Sequence, residues 1–122
     1  MCEFDLDGFK AVNDAVGVRD ADDVLAAVAQ RIVEAVDESD LVSRISGDSF
    51  AVLLPGSPRI EAEGLFARVQ AGLRRVPLAQ APGLTVSCGI ADLAPDDEPL
   101  ALLARAHEAL VQAKRRGGGT AA

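Results

Sequence analysis

The chain has 122 residues, of which 49% are hydrophobic and 25% charged, and its formal net charge at pH 7 is −7. This size and composition predict one globular domain with a single aliphatic core and exclude a disordered chain. The negative balance argues against binding along a nucleic acid, because phosphate contacts need clustered Lys and Arg. One nucleotide is compatible with this balance where a metal ion supplies positive charge.

The sequence also indicates the compartment. It has no apolar run of the roughly 18 residues that a membrane span needs. A signal peptide is not expected either, because the residues after Met1 do not form a basic region followed by an apolar stretch. Cys2 and Cys88 lie far apart along the chain and are predicted to be reduced core residues rather than a disulfide or a metal pair. We therefore expect a cytoplasmic protein with no membrane segment in this chain.

The first half of the chain predicts a strand, two helical stretches and a β-hairpin. MCEFD, residues 1–5, is typical of the end of a strand, and a short helical stretch after it ends at Gly17. Apolar residues that recur at spacings of three and four predict a longer helix next: Val24, Leu25, Val28, Ile32, Ala35 and Val36. LVSRIS and FAVLLP are rich in strand formers, and the short polar turn between them predicts a hairpin.

The second half predicts a helix, a loop, a strand and a last helix. The apolar face of the first of these helices consists of Leu65, Phe66, Val69 and Leu73. A loop over 77–83 precedes the strand LTVSCGIA, in which apolar and small polar residues alternate. Pro99 suits the first turn of the last helix. The residues predicted to be buried on that helix are Leu103, Ala106, Leu110 and Ala113. We expect one domain over 1–117 and a flexible tail over 118–122.

The element order, β-α-β-β-α-β-α, predicts an α/β fold. Its form is an α+β sandwich with a ferredoxin-like β-α-β-β-α-β core and an added C-terminal helix. In that topology the first two strands run parallel, and the third lies between them, antiparallel to both. Asp5, at the end of the first strand, then emerges at the same edge of the sheet as Asp48 at the hairpin tip.

Two carboxylates at one edge repel, and each raises the pKa of the other unless a cation lies between them. Asp5 and Asp48, with a backbone carbonyl and substrate phosphates, are a ligand set that suits Mg²⁺, which takes one or two carboxylates and keeps waters. The alternative is structural: Asp5 caps the following turn and Asp48 is an ordinary hairpin residue. The spacing alone leaves both interpretations open.

Four segments, FDLDGFKAVND, SGDSF, LTVSCGIA and RAHEALVQAK, together resemble the GGDEF domain of the diguanylate cyclase family, in the same order over 3–117. The fold of that family resembles the nucleotidyl cyclase and polymerase palm. Members condense two GTP molecules into cyclic di-GMP across a dimer of two domains, each holding one GTP with Mg²⁺. The resemblance therefore implies GTP and Mg²⁺ as ligands, and a homodimer or other GGDEF-type signalling domains as partners.

The resemblance also implies roles for individual residues. Asp5 and Asp48 match the metal carboxylates, and Leu6 would offer its carbonyl to the same ion. Phe9 and Lys10 match the turn whose backbone amides bind the phosphates, and Lys114 matches a lysine that contacts them. Asn13 and Asp22 match the pair that binds the guanine edge. Asp22 and Lys114 also have a structural alternative, because carboxylates suit a helix start and cations suit a helix end.

The hairpin departs from the family pattern at one catalytic position. Gly47 keeps the close approach to substrate, Asp48 keeps the metal carboxylate and Phe50 keeps the core anchor. Ser49 stands where the family has Glu, and a Ser hydroxyl neither adds charge for a metal nor acts as a general base at neutral pH. Ser46 replaces a Gly, which matters less because the residue is small.

Other departures concern the flanks. Residues 37–40 lack the Arg of the family's product-inhibition motif Arg-x-x-Asp, and Gly118 stands where the family's C-terminal motif has an Arg, for which Arg115 or Arg116 is the candidate substitute. The family's opening helix and the first half of its first strand are absent, so we expect an N-terminally truncated domain.

The function expected is a degenerate GGDEF domain that binds GTP and Mg²⁺ as a regulatory or dimerisation module. An active diguanylate cyclase, or a structural domain without nucleotide, is the alternative.

Overall fold

The computed structural model describes residues 1–75, 81 and 83–122. In this part of the chain the elements are β1 (Cys2–Leu6), α1 (Phe9–Ala35), β2 (Leu41–Ser46), β3 (Ser49–Leu53), α2 (Arg59–Arg75), β4 (Val86–Ile90) and α3 (Pro99–Arg115). Their order is the predicted one. The loop predicted over 77–83 lies largely outside the described residues.

The four strands form one sheet in the order β2-β3-β1-β4, and every neighbouring pair is antiparallel. Since β1 and β2 both pair with β3, they run parallel to each other, which confirms the ferredoxin-like topology. Asp5 lies opposite Ser49 on β3 and opposite Ser87 on β4. The end of β1 and the β2–β3 tip therefore meet at one edge of the sheet.

One face of the sheet packs against α1 and α2. Alternate residues of each strand point to that face, and the buried strand residues there include Phe4, Leu6, Phe50, Val52 and Val86. The helices contribute Val24, Val28, Ile32, Leu65 and Val69 to the same cluster. Cys2 and Cys88 are buried in it as free thiols, as predicted.

The added helix α3 packs against the opposite face. A Cβ on Gly89 would lie 2.0 Å from the carbonyl oxygen of Ala106 and 2.3 Å from the amide of Leu110, so β4 and α3 are in backbone contact there. The prediction that Leu103 is buried was wrong: Leu102 is buried instead and Leu103 is half-buried. Leu102 lies four residues before Ala106 and shares its buried helix face, whereas Leu103 lines the cavity beside the hairpin.

Helix α1 is interrupted at Gly17, whose dihedral angles are φ 83° and ψ 167°. This left-handed φ is one that glycine adopts without the penalty of a side chain, and the break falls where the short first helix was predicted to end. Although α1 has 27 residues, neither it nor another helix in the described ranges is long and apolar enough to cross a membrane.

The chain end lies along β4. The Cys88 amide donates to the carbonyl of Thr120 at 3.0 Å, the Ala122 amide donates to the carbonyl of Cys88 at 2.8 Å, and Ala121 forms a parallel bridge with Cys88. This pairing differs from the flexible tail predicted over 118–122. The physical reason is that β4 is an edge strand, whose outer amides and carbonyls need partners.

Candidate functional site

The two predicted metal carboxylates lie together at the edge of the sheet. The Leu6 amide donates to the carbonyl of Asp48 at 3.2 Å, which joins the end of β1 to the hairpin tip. Burial raises the pKa of Asp5 above its ordinary value; Lys114 lowers this pKa in part, and the nearby Asp48 carboxylate raises it further. The edge therefore carries negative charge that a cation would stabilise.

The donor atoms here fit Mg²⁺. Oδ1 of Asp5 is buried and has no hydrogen-bond partner, and Asp48 is half-buried beside it. Among the described residues, there is no group of three His, Cys, Asp or Glu side chains that could hold a metal ion without other ligands. Two carboxylates and the Leu6 carbonyl thus provide part of an oxygen coordination shell, which suits an ion that takes its remaining ligands from water and phosphate.

Lys114 reaches the same atoms from the last turn of α3. Its Nζ donates to the carbonyl of Leu6 at 2.9 Å and lies 3.3 Å from Oδ2 of Asp5 and 3.1 Å from Oδ1 of Asp7. The side chain is 32% exposed. The predicted phosphate-binding cation is therefore ion-paired with one predicted metal ligand, Asp5, and hydrogen-bonded to another, the Leu6 carbonyl.

Asp7 organises the surroundings of this cluster, a role that the sequence analysis did not assign. Its carboxylate accepts hydrogen bonds from Thr85 Oγ1 at 2.6 Å, Ser87 Oγ at 2.7 Å and the Gly119 amide at 2.7 Å. Burial acts to raise the pKa of Asp7, but these bonds and the one from Lys114 outweigh it and hold the pKa below its ordinary value. The alternating hydroxyls of Thr85, just before β4, and Ser87, on β4, were the sequence signal for this role of Asp7.

Gly118 adjoins Asp7 at the position where the resemblance implies an Arg. Its φ is +74°, and a Cβ there would lie 3.0 Å from the Asp7 carboxylate. A side chain at this position would therefore be strained and crowded. The backbone at Gly118 therefore passes close to Asp7, where an Arg side chain would be crowded.

The hairpin tip is held by hydroxyls and by Arg44. Oγ of Ser46 and Oγ of Ser49 are 2.8 Å apart, and Arg44 donates to the carbonyls of Ser46 and Gly47 at 3.1 and 2.7 Å. Ser49 is buried, with 6% exposure. Gly47 has no positive φ, and a Cβ on it would meet no atom within 4 Å, so the turn itself does not require glycine there.

Phe9 and Lys10 form the first turn of α1, next to the same edge. Gly8 precedes them with φ 68°, and the first helical hydrogen bond runs from the Val12 amide to the Gly8 carbonyl at 3.2 Å. The amides of the two residues therefore have no acceptor within the helix, which is the arrangement that binds phosphate at helix N-termini. Lys10 is exposed and Phe9 is half-buried against the core.

Asn13 and Asp22 lie on α1 on either side of the break at Gly17. Asn13 is half-buried and Asp22 is exposed. Within the described part of the chain, no hydrogen bond or ion pair joins either side chain to Asp5 or Asp48. The structure brings the metal candidates, Ser49 and Lys114 together, and it leaves the guanine candidates outside that network.

A cavity of about 440 Å³ opens between α3 and the hairpin beside the cluster. Its lining includes Asp5, Asp48 and a pair that sequence reasoning missed, in which Oε1 of Glu3 lies 3.1 Å from Nδ1 of His107. Glu3 is 4% exposed, and its other oxygen has no partner. An acid within the apolar strand β1 was the only sequence signal for this pair.

Comparison with known proteins supports the resemblance over most of the chain. A family model described as "Diguanylate cyclase, GGDEF domain" matches residues 2–120. The chain is 34% identical over 113 residues to diguanylate cyclase DgcM of Escherichia coli K12, which covers 93% of this chain and 28% of DgcM. It is 41% identical over 127 residues to diguanylate cyclase TpbB of Pseudomonas aeruginosa, which covers 95% of this chain and 28% of TpbB.

The fold comparison agrees. The crystal structure of the GGDEF domain of TpbB (YfiN) from Pseudomonas aeruginosa superposes with a TM-score of 0.88 and 35% identity, over 99% of this chain and 80% of that one. The chain thus spans 80% of that domain structure but only about 28% of the two curated relatives. The matched region includes the whole sheet and the candidate site.

Proposed function

Because this chain belongs to the GGDEF family of diguanylate cyclase domains, we propose that it is a degenerate member that binds GTP with Mg²⁺. It would serve as a regulatory or dimerisation module in cyclic di-GMP signalling, with little or no cyclase activity. The observation that carries the proposal is Ser49, whose hydroxyl bonds to Ser46 directly opposite Asp5. The family resemblance places a Glu carboxylate at this point.

The loss of that carboxylate affects the chemical step more than binding. A Ser hydroxyl at neutral pH does not remove a proton as a general base, and it brings no charge for a metal. The neighbouring acids are Asp5 and Asp48, which are metal ligands in the proposed site, and Glu3, which lies 3.1 Å from His107 in the same cavity. In the described residues of the tip, no other carboxylate takes the place of Ser49.

The binding half of the site is retained. Asp5, Asp48 and the Leu6 carbonyl would hold Mg²⁺, which when bound neutralises phosphate charge and polarises the reacting phosphoryl group. The amides of Phe9 and Lys10 would bind phosphate oxygens at the start of α1.

The remaining assignments concern the guanine and the outer phosphates. Asn13 and Asp22 would bind the guanine edge, since an amide and a carboxylate together match its acceptor and donors. Lys114 would bind phosphate once its present ion pairs are exchanged for the nucleotide.

The proposed partner is a second GGDEF domain, either in a homodimer or in another signalling protein. Cyclic di-GMP contains two guanylates, so two domains that each hold one GTP must face each other to form it. A domain that binds GTP without turnover can still form such a pair. The proposed compartment is the cytoplasm, which keeps thiols such as Cys2 and Cys88 reduced.

Two assays test this proposal. Calorimetric titration with GTP should give binding that depends on Mg²⁺ and is lost in Asp48→Asn, while chromatography after incubation with GTP and Mg²⁺ should detect no cyclic di-GMP. Clear product formation would overturn the degenerate assignment. Failure to bind GTP in either condition would support a structural domain instead.

The second candidate function is an active diguanylate cyclase. It is favoured by the Asp5–Asp48 pair and by the unpartnered Oδ1 of Asp5, which keep a metal site without Ser49. The chromatographic assay separates the two candidates, because only the active enzyme consumes GTP.

A further inference from the structure

Lys114 is bound by three oxygens from the end of β1. The carbonyl of Leu6, a carboxylate oxygen of Asp5 and one of Asp7 lie 2.9, 3.3 and 3.1 Å from its Nζ. The contact with Leu6 is a hydrogen bond and the two with the carboxylates are ion pairs. The ammonium group therefore has three oxygen neighbours from the end of β1, although its side chain is partly exposed.

Two of these three partners are also the proposed ligands of Mg²⁺. The Leu6 carbonyl and the Asp5 carboxylate cannot serve the ammonium and a divalent ion at contact distance at once, because the two cations would repel strongly in a half-buried place. Lys114 and Mg²⁺ consequently compete for the Leu6 carbonyl and for the charge of the Asp5 carboxylate, whose Oδ2 contacts Lys114 and whose Oδ1 has no partner.

We propose that Lys114 sets the order of binding: it is the internal counter-ion of the metal ligands and releases them only when a nucleotide triphosphate offers it phosphate oxygens. Mg²⁺ then binds together with the nucleotide rather than before it. This inference rests on the proposed GTP and Mg²⁺ site and names how that site is regulated.

The local structure allows this exchange. Lys114 has a flexible four-carbon stem, lies in the last turn of α3 and is 32% exposed. Asp7 does not depend on Lys114, since it keeps donors from Thr85, Ser87 and Gly119. Moving the ammonium therefore leaves the edge of the sheet intact.

Among the described residues, no second basic side chain is placed to compensate Asp5 and Asp7 when Lys114 moves away. Gly118 stands where the family resemblance implies an Arg. Within the described ranges, Lys114 is the basic side chain that pairs with Asp5 and Asp7, and Arg115 is exposed without such a pair. Removal of the Lys114 charge would leave the carboxylates uncompensated and raise their affinity for a divalent ion.

The test is Mn²⁺ binding without nucleotide, measured from the paramagnetic resonance signal of the unbound ion. Lys114→Met is expected to bind Mn²⁺ about tenfold more tightly than the unaltered chain, a difference of about 1.4 kcal/mol. Arg115→Met is the matched control, because it removes the same charge one residue further on. Equal Mn²⁺ affinity in the two variants would overturn the proposal.

A non-hydrolysable GTP analogue provides the second arm. With the analogue, the Mn²⁺ affinity of the unaltered chain should rise more than that of Lys114→Met, whose metal ligands are already released. Equal gains in both proteins would contradict the coupling. A chain that binds no GTP analogue would overturn the proposed function, and the Lys114 proposal would then be decided by the nucleotide-free comparison.

A measurement on the unaltered chain covers the case in which Lys114→Met does not fold. The side-chain carbon resonance next to Nζ of Lys114 should shift when Mg²⁺ and the GTP analogue are added together, and should stay in place when the same Mg²⁺ is added alone. A shift of equal size with Mg²⁺ alone would show that the nucleotide is not needed and would contradict the proposal.

Discussion

Asp5 on β1 lies directly opposite Ser49 on β3, in the register that brings the strand end and the hairpin tip to one edge of the sheet. The carboxylate of Asp5 has one buried oxygen without a partner, whereas the hydroxyl of Ser49 is already bonded to Ser46. The residue opposite Asp5 is therefore an uncharged hydroxyl that is already hydrogen-bonded to Ser46. Under the proposed function, this position separates a domain that only binds GTP from one that converts it.

Ser49→Glu is expected to create cyclase activity if the rest of the site is intact. The new carboxylate would lie beside Asp5 and Asp48 and add the charge that the Ser lacks. Without a divalent ion, the same repulsion should lower the free energy of unfolding by about 1 kcal/mol. Chromatographic detection of cyclic di-GMP checks the gain, and Ser49→Gln, similar in size but uncharged, should form no product. Equal activity in both variants would contradict the role of charge.

Gly47→Ala separates the fold from nucleotide binding. Gly47 has no positive φ and an added Cβ would meet nothing within 4 Å, so stability should change by less than about 0.5 kcal/mol. Under the proposed function, the methyl group obstructs the approach of the triphosphate and lowers GTP affinity by about tenfold, or about 1.4 kcal/mol. Calorimetry and thermal unfolding together check this result. Unchanged GTP affinity would remove Gly47 from the site.

Much of the fold could be predicted from the sequence, because it follows local patterns. Alternating apolar residues gave the strands, three- and four-residue spacings gave the helices, and their order selected the ferredoxin-like sheet. Asp5 and Asp48 could be placed at one edge by topology alone. Gly17 was also recognisable, because a glycine after a short amphipathic stretch is a common helix end.

The features that escaped prediction depend on long-range packing. An amphipathic helix shows that it has a buried face but not which side of a sheet it covers, so the position of α3 and its contact with Leu6 through Lys114 were not predictable. The Glu3–His107 pair followed from that position. The pairing of the chain end with β4 uses only backbone groups, which have no side-chain signature.

The contact between β4 and α3 predicts a large effect of Gly89→Ala. The new methyl carbon would lie 2.0 Å from the Ala106 carbonyl oxygen and 2.3 Å from the Leu110 amide, and both are backbone atoms that cannot rotate away. We expect a loss of about 3 kcal/mol in the free energy of unfolding, measured by urea denaturation. Gly64→Ala on α2 is the control, because its nearest neighbour is an Arg68 side-chain atom at 3.4 Å. Similar stability in both variants would contradict the close packing of α3.

The final prediction concerns two carboxylates, two residues apart, whose pKa values shift in opposite directions. The folded pKa of Asp7 is lowered, so its contribution to stability is present above the ordinary value of 3.8 and is lost as the pH falls through the folded value. Asp7→Asn should therefore cost about 1–3 kcal/mol near neutral pH, through weakened charge-assisted hydrogen bonds. This deficit should shrink as the pH falls below the ordinary value.

Asp5 should behave in the opposite way. Burial raises its folded pKa, so the unaltered chain loses stability as the pH rises from the ordinary value of 3.8 to the folded value. In the absence of divalent ions, Asp5→Asn should therefore be more stable than the unaltered chain at neutral pH, and this advantage should disappear in acid. Urea denaturation of both variants across this pH range checks the pair. Parallel pH profiles for Asp5→Asn and Asp7→Asn would contradict the opposite shifts, because Asp5 has a buried oxygen without a partner whereas Asp7 accepts three hydrogen bonds besides its contact with Lys114.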